Sequence, residues 1–239
     1  MTKCLRNLAS LVIIATMALS PAFGIHKKQL TKLQEQQHKA MHEIVMVDRD
    51  ADGQVIGGGL CTAYAVGPHT LLTAGHCDDA KATGVYIDAP LELIRPGKVM
   101  NYKIISRTFD HQDHLLLVVS GITFNNTIAL TAHVRLPRQG EHTYQWGNPA
   151  GMRDQFREGV VMGSIPNPKS DDDEERVDAT GNIYLIQEPV IGGDSGSSVF
   201  SAEDGQLIGI VTYSMDNGQL AGVYAIQFTQ AQLDAAGVK

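Results

Sequence analysis

The stretch Gly192-Gly193-Asp194-Ser195-Gly196-Ser197 sets a serine between glycines, where the backbone can turn sharply and expose a hydroxyl. Far upstream, Thr73-Ala74-Gly75-His76-Cys77 closes an apolar run, so a strand would deliver His76 to the edge of a cleft. Asp113 heads a third segment, Asp113-His114-Leu115-Leu116-Leu117-Val118-Val119, a carboxylate at the start of a buried-looking strand. A serine hydroxyl becomes a nucleophile only beside a base, and an imidazole serves as that base best when a carboxylate fixes its orientation, so the three together suit acyl transfer. Taken singly, each has an ordinary reading: a turn, a buried histidine beside a cysteine, a strand-edge acid. Asp110 is the nearest rival to Asp113, but it precedes the polar His111-Gln112 pair, whereas Asp113 adjoins the apolar strand.

The elements that must hold these residues read as strands. Ile44 to Val47, Cys61 to Val66, Thr70 to Thr73, Val85 to Ile87, Val99 to Ile105 and Leu115 to Val119 are short apolar segments separated by Gly, Pro or Asp turns. A second series follows Pro137: Thr143 to Trp146, Gly159 to Met162, Ile183 to Ile186, Ser198 to Phe200, Leu207 to Tyr213 and Val223 to Phe228, with a tight turn at Asp216-Asn217-Gly218. Many short strands at close spacing predict an all-β sandwich or barrel. Residues 25–43 differ, with Leu30, Leu33, Met41 and Ile44 at roughly helical spacing among Lys, Gln and Glu.

In a chain of 239 residues with 43% hydrophobic content, a globular fold is expected. Lys3 to Arg6, an apolar stretch from Leu8 to Leu19, and Ala22-Phe23-Gly24 together read as a secretory signal peptide over 1–24, the competing reading being an uncleaved anchor. Cleavage removes Lys3 and Arg6 and no acid, moving the net charge from −7 to −9. So acidic a surface argues against a nucleic-acid partner. Part of the acidity is local, in Asp171 to Glu175 with Asp178, read as a solvated loop, or alternatively as a calcium site or an attractant for basic peptides. After cleavage only Cys61 and Cys77 remain, an even pair in a compartment that permits oxidation. A disulfide is expected, with two free thiols as the alternative; by closing a loop of about 15 residues it would contribute about 3 kcal/mol and fix the chain beside His76. The histidines are scattered, and His111 and His114 beside Asp110 and Asp113 lack cysteine support or a second ligand segment. No metal site is expected, and His114 reads as a surface or rim residue.

The residues around His76, Asp113 and Ser195 resemble those of the trypsin-like, chymotrypsin-fold serine endopeptidases, in that family's order of His, Asp and Ser. Bacterial secreted and HtrA-like members are the nearer likeness, through Gly147-Asn148-Pro149-Ala150-Gly151, Gly159-Val160-Val161, Gly209-Ile210-Val211 and Gly222-Val223-Tyr224-Ala225-Ile226. The resemblance runs from about Ile44 to Phe228, and the short stretch after it leaves no room for a carboxy-terminal peptide-binding domain. It implies two six-stranded antiparallel β-barrels packed together, 44–136 and 137–239, with the active site in the seam and residues 25–43 as a pro-segment or helical extension. It implies His76 as general base, Asp113 as its orienting acid, Ser195 as nucleophile, and the N–H groups of Gly193 and Ser195 as an oxyanion hole. No cofactor is implied. Polypeptides would be the substrates, in the periplasm or outside the cell, with no stable membrane association after signal cleavage.

The family's substrate pocket would be floored by Pro189, six positions before the serine, and walled by Val190, Ile191, Gly192, Tyr213, Ser214, Met215 and Gly222. Pro189 carries no charge, and Val211 stands where glutamate-specific relatives carry histidine, so a neutral, aliphatic, small-to-medium P1 residue is expected. Animal relatives free an Ile-Val-Gly-Gly amine to pair with the acid before the serine. Val55-Ile56-Gly57-Gly58 looks similar, yet lies too near Cys61 to reach Asp194. Two functions of different class follow: an active endopeptidase, or a catalytically silent protein of the same fold that binds peptides or a partner.

Overall fold

The structure, a computed structural model, describes residues 31–49, 52, 55–89, 102–167 and 181–238. The expected signal peptide and the acidic run 171–178 lie outside them.

Twelve strands form two closed antiparallel barrels. The first contains β1 (Met41–Arg49), β2 (Val55–Gly67), β3 (Thr70–Ala74), β4 (Gly84–Ile87), β5 (Tyr102–Phe109) and β6 (His114–Ser120). The second contains β7 (His142–Gly147), β8 (Gln155–Pro166), β9 (Asn182–Gln187), β10 (Ser198–Ser201), β11 (Leu207–Met215) and β12 (Leu220–Val223). Strand order is β1-β2-β3-β6-β5-β4 in the first and β10-β11-β12-β9-β8-β7 in the second, the same winding used twice. Closure leaves neither sheet an open edge.

Strand alternation assigns the two faces of the first barrel to different cores. On β6, Leu115, Leu117 and Val119 point into the barrel, while Leu116 and Val118 face outward against the second barrel. Leu71 and Leu72 divide the same way, as do Ala63 and Ala65 against Tyr64 and Val66. Both faces are dry, which is why β6 reads as an unbroken apolar run. Between the barrels Tyr64, Leu72 and Leu116 meet Tyr144, Trp146, Phe200, Ile210, Ile226 and Phe228. The second barrel has its own smaller core around Val161, Ile186, Val199, Ile208 and Val223.

Two expectations are corrected. The last strand is Leu220–Val223, not Val223 to Phe228. Residues 220–223 complete the hairpin opened at Asp216–Gly218 by pairing with β11, whereas the apolar residues after it have no ladder partner and pack Ile226 and Phe228 into the interbarrel core. Likewise, the boundary expected at 44 falls inside β1, which begins at Met41. Residues 31–39 are helical and lie on the second barrel. Gln37 donates to Gly205 O at 2.7 Å and accepts from Tyr144 Oη at 2.8 Å, and His38 stacks on Trp146. Val55–Gly58, the Ile-Val-Gly-Gly-like segment, is paired strand at the start of β2.

Beyond β12 the chain returns to the first barrel. Helix Gln230–Ala235 starts with a reciprocal capping box between Thr229 and Gln232 and buries Leu233. Gln232 Nε2 donates to Phe109 O at 3.0 Å, and Thr70 Oγ1 donates to Ala236 O. No helix among the described residues is long and apolar enough to cross a membrane.

Candidate active site

His76 sits in the single turn Gly75–Cys77 that ends β3. The turn presses directly on Asp113: Gly75 N donates to Asp113 O at 2.7 Å, and a Cβ on Gly75 would lie 2.8 Å from Asp113 Oδ1. A side chain there would push the histidine turn off the carboxylate. Asp113 itself precedes β6 with φ of 60°, a left-handed conformation that acidic residues tolerate better than most. Its Oδ1 accepts from His76 N at 2.7 Å, and its Oδ2 lies 2.7 Å from His76 Nδ1. With the ring proton on Nδ1 facing that carboxylate, Nε2 presents its lone pair to Ser195 Oγ at 2.8 Å. The imidazole is 42% exposed and the Asp113 side chain 7%, so a dry carboxylate backs an imidazole that is open to solvent.

Ser195 is held by the first barrel as well as by its own. Thr62 N donates to Ser195 O at 2.8 Å, and Thr62 Oγ1 donates to Gly193 O at 2.9 Å and accepts from Asn148 N at 3.1 Å. Cys61, next to Thr62, is disulfide-bonded to Cys77, next to His76. One covalent link therefore joins the strand that holds the serine loop to the turn that holds His76.

The loop before the serine needs glycine at two points. Gly193 has φ of 101° and Gly196 of 87°, and a Cβ on either would strike backbone, Asn148 O in one case and Thr62 O in the other. Gly192 O accepts from Ala150 N at 2.7 Å. Because a trans peptide points its N–H opposite its C=O, the Gly193 N–H faces away from that contact. Among the described residues neither the Gly193 nor the Ser195 N–H has a protein acceptor. Two free donors beside a serine Oγ can stabilise an oxyanion.

Asp194 turns inward, its side chain 1% exposed, and Arg157 of β8 grips both of its oxygens, with Nη1 to Oδ2 at 2.6 Å. Nη1 also donates to Pro189 O at 2.9 Å, and Asp194 Oδ2 accepts from Ile191 N at 2.9 Å. Burial alone would lower the Arg157 guanidinium, but the hydrogen bonds and charge of Asp194 outweigh it and hold it above its usual range.

The other predicted site residues fall around this loop. Pro189 lends only its carbonyl, as an acceptor for Arg157. Val190 is buried in the second barrel's core rather than open to the cleft. Ile191 and Tyr213 are exposed, and Gly222 pairs with Tyr213 across β11 and β12, beside Ser214 and Ala221. A Cβ on Gly222 would lie 2.9 Å from Tyr213 Cβ, so glycine there permits the aromatic ring its place on the strand.

His114 is corrected: it is fully buried, not at a rim. Its Nδ1 lies 2.7 Å from Asp110 Oδ2, so Asp110 and Asp113 each hold a different imidazole. The stretch 110–114 is polar throughout, which hid the fact that β6 begins at His114 with its side chain buried. Sequence reasoning also missed Arg157, Thr62 and Asn148. Arg157 sits in Phe156-Arg157-Glu158, with no motif to mark it, and Thr62 matters only because the second barrel packs on it. No group of three or more His, Cys, Asp or Glu among the described residues could hold a metal ion.

The trypsin-like peptidase domain family matches residues 61–210. Among solved structures, the active form of the Rv3671c protease from M. tuberculosis is 19% identical, with a TM-score of 0.63, covering 99% of this chain and 96% of that one. The inactive form of the Rv3671c protease is 17% identical, with a TM-score of 0.60, covering 86% of this chain and 92% of that one. At these identities the likeness is one of fold. No curated protein matches the chain.

Proposed function

Because the chain belongs to the trypsin-like peptidase domain family, we propose that it is a serine endopeptidase working through an acyl-enzyme. The observation that carries this is the continuous link from Asp113 Oδ2 to His76 Nδ1 at 2.7 Å and from His76 Nε2 to Ser195 Oγ at 2.8 Å. Ser195 Oγ attacks the scissile carbonyl as Nε2 takes its proton. Asp113 keeps the ring proton on Nδ1 and stabilises the imidazolium that forms. The carbonyl oxygen, now negative, is met by the N–H groups of Gly193 and Ser195, and His76 returns its proton to the leaving amine. Water, deprotonated by the same imidazole, then attacks the acyl-enzyme, and Ser195 leaves with the proton restored.

The substrate pocket near Ser195 carries no charge at its expected floor, since Pro189 offers a carbonyl already engaged by Arg157. The side chains exposed beside it, Ile191 and Tyr213, are apolar or aromatic. A neutral aliphatic P1 residue follows, with polypeptides as substrates. The disulfide is compatible with an extracytoplasmic site of action, secreted or periplasmic, reached through the signal peptide proposed for 1–24.

The test is reaction with a fluorophosphonate probe, together with hydrolysis of a peptide library. Wild-type protein should label and cleave, Ser195→Ala should do neither, and the cleavage profile should favour Ala, Val or Leu at P1. Absence of labelling in folded protein would leave the silent peptide-binding reading in its place. A profile dominated by Arg, Lys or Glu would overturn the specificity.

A further inference from the structure

Beside the His76–Asp113 pair lies a second carboxylate–imidazole pair that the mechanism does not use. Asp110 and His114 are both 0% exposed at their side chains, and His114 Nε2 has no partner among the described residues. Four donors converge on the Asp110 carboxylate. Oδ1 accepts from Gln112 N at 2.9 Å and His114 N at 3.3 Å, and Oδ2 faces His114 Nδ1 at 2.7 Å and accepts from Gln227 N at 2.8 Å. Burial alone would raise this carboxyl. The His114 pairing and the Gln227 and Gln112 amides hold it below its usual range.

Three of the four donors belong to the 110–114 turn, on Gln112 and His114 either side of Asp113. That turn is strained, with His111 at φ of 65° and Asp113 at 60°, and neither is a glycine. Such a conformation persists only where its surroundings over-determine it. The fourth donor, Gln227 N, comes from the segment that follows the second barrel and returns to the first. Asp113 in turn grips both the backbone and the ring of His76. Hydrogen bonds from the chain beyond the second barrel to Asp110, and from Asp110 to the backbone on either side of Asp113, thus connect that segment to the residue that holds the base facing Ser195.

We propose that Asp110 is a positioning residue: with His114 it locks the strained 110–114 turn onto the returning segment at Gln227, and so fixes Asp113 and His76 against Ser195. This rests on the serine-protease reading for its rate consequences, but the positioning itself does not. The carboxylate form is required, because an amide presents a donor to one of four donors and loses at least one of the bonds. Misplacing a reacting group by an ångström can slow a reaction by roughly a hundredfold.

The experiment compares wild type, Asp110→Asn, Gln227→Pro and Leu233→Ala. Gln227 is exposed, and proline there removes the N–H that reaches Asp110, along with an exposed side chain and some backbone freedom, while leaving the carboxylate in place. Leu233 is buried in the interbarrel core and serves as a control for lost stability. Rates are normalised to folded protein. Asp110→Asn should lower kcat by roughly 10- to 100-fold, and Gln227→Pro by a smaller factor, with KM within about twofold in both. Leu233→Ala should keep its normalised kcat. The low-field Nδ1 proton of His76, assigned with His76→Ala, should move or broaden in Asp110→Asn and Gln227→Pro and stay put in Leu233→Ala. If both variants keep wild-type kcat and an unmoved His76 signal, or if Leu233→Ala reproduces their losses, Asp110 does not position the site. A wild-type protein that fails to react with fluorophosphonate would sink the protease reading alone, and the His76 signal would then decide this proposal by itself.

Discussion

Arg157 holds both carboxylate oxygens of Asp194, the residue directly before Ser195. The bond fixes which way the loop before Ser195 turns, because Asp194 is buried and its Oδ2 also accepts from Ile191 N. Replacing Arg157 by Met keeps the stem but strands a buried carboxylate, a change that typically costs about 3–5 kcal/mol. Labelling of Ser195 should slow by about a hundredfold or more as Gly193 leaves its place. Arg157→Met with wild-type labelling kinetics and thermal stability would show that something else holds the loop.

Since Asp194 already has its cation, no freed amino terminus is needed. Residues 31–40 instead serve the fold: Gln37 ties Gly205 to Tyr144, and Ala40 lies in the interbarrel core. Protein beginning near residue 31 should label with fluorophosphonate without further cleavage. A chain begun at Met41 should melt lower, and Gln37→Ala alone should cost about 1–3 kcal/mol by leaving buried groups without partners. Activity appearing only after cleavage within 31–40 would reverse this assignment.

Glu188, at the end of β9, is 1% exposed, and burial pushes its carboxyl up to about 7, against the partial opposition of the nearby Arg157. Gln145 Nε2 donates to one oxygen, and the other has no partner among the described residues. The folded protein therefore keeps this proton where the unfolded chain has lost it. Its contribution is fully present below the unfolded value of about 4.5 and lost as pH rises through about 7. Glu188→Gln carries no such proton, so its stability relative to wild type should climb by about 3 kcal/mol from pH 4.5 to pH 8. Thermal or denaturant melts across that range check it; parallel curves for the two proteins would contradict it.

The Cys61–Cys77 disulfide joins residues separated by 16 positions. For a loop of that size the constraint on the unfolded chain is worth about 3 kcal/mol. Cys61→Ala/Cys77→Ala should lose about that much in urea melts. It should also lose activity beyond its loss of folded fraction, because Thr62 and His76 are the direct neighbours of the two sulfurs. An unchanged kcat per folded molecule would confine the bond to a stability role.

Much of the fold was legible because alternation and turn chemistry are local. Leu115 to Val119 announced a buried strand, and Asp216-Asn217-Gly218 announced a tight turn. The last strand was misplaced because Val223 to Phe228 is apolar for a different reason: Ile226 and Phe228 fill the space between barrels without pairing. Helical spacing over 25–43 ran on through Met41 and Ile44, which belong to β1, since a short amphipathic pattern does not say where a helix yields to a strand.

The candidate site divides in the same way. Ser195 among its glycines, His76 at a strand end and Asp113 at a strand head were written in the sequence, because each needs its own local backbone. What the sequence could not write is which groups meet across distance. Asp110 and Asp113 differ by three positions and look alike, yet one faces His114 and the other His76. Arg157 reaches Asp194 only because the second barrel closes β8 onto the serine loop, and Thr62 reaches Ser195 only because barrels from separate halves of the chain pack face to face. The sequence by itself determined the strands, the turns and the three chemical groups. The partners of those groups were decided by tertiary packing, since a hydrogen bond depends on ångström distances that no linear spacing records.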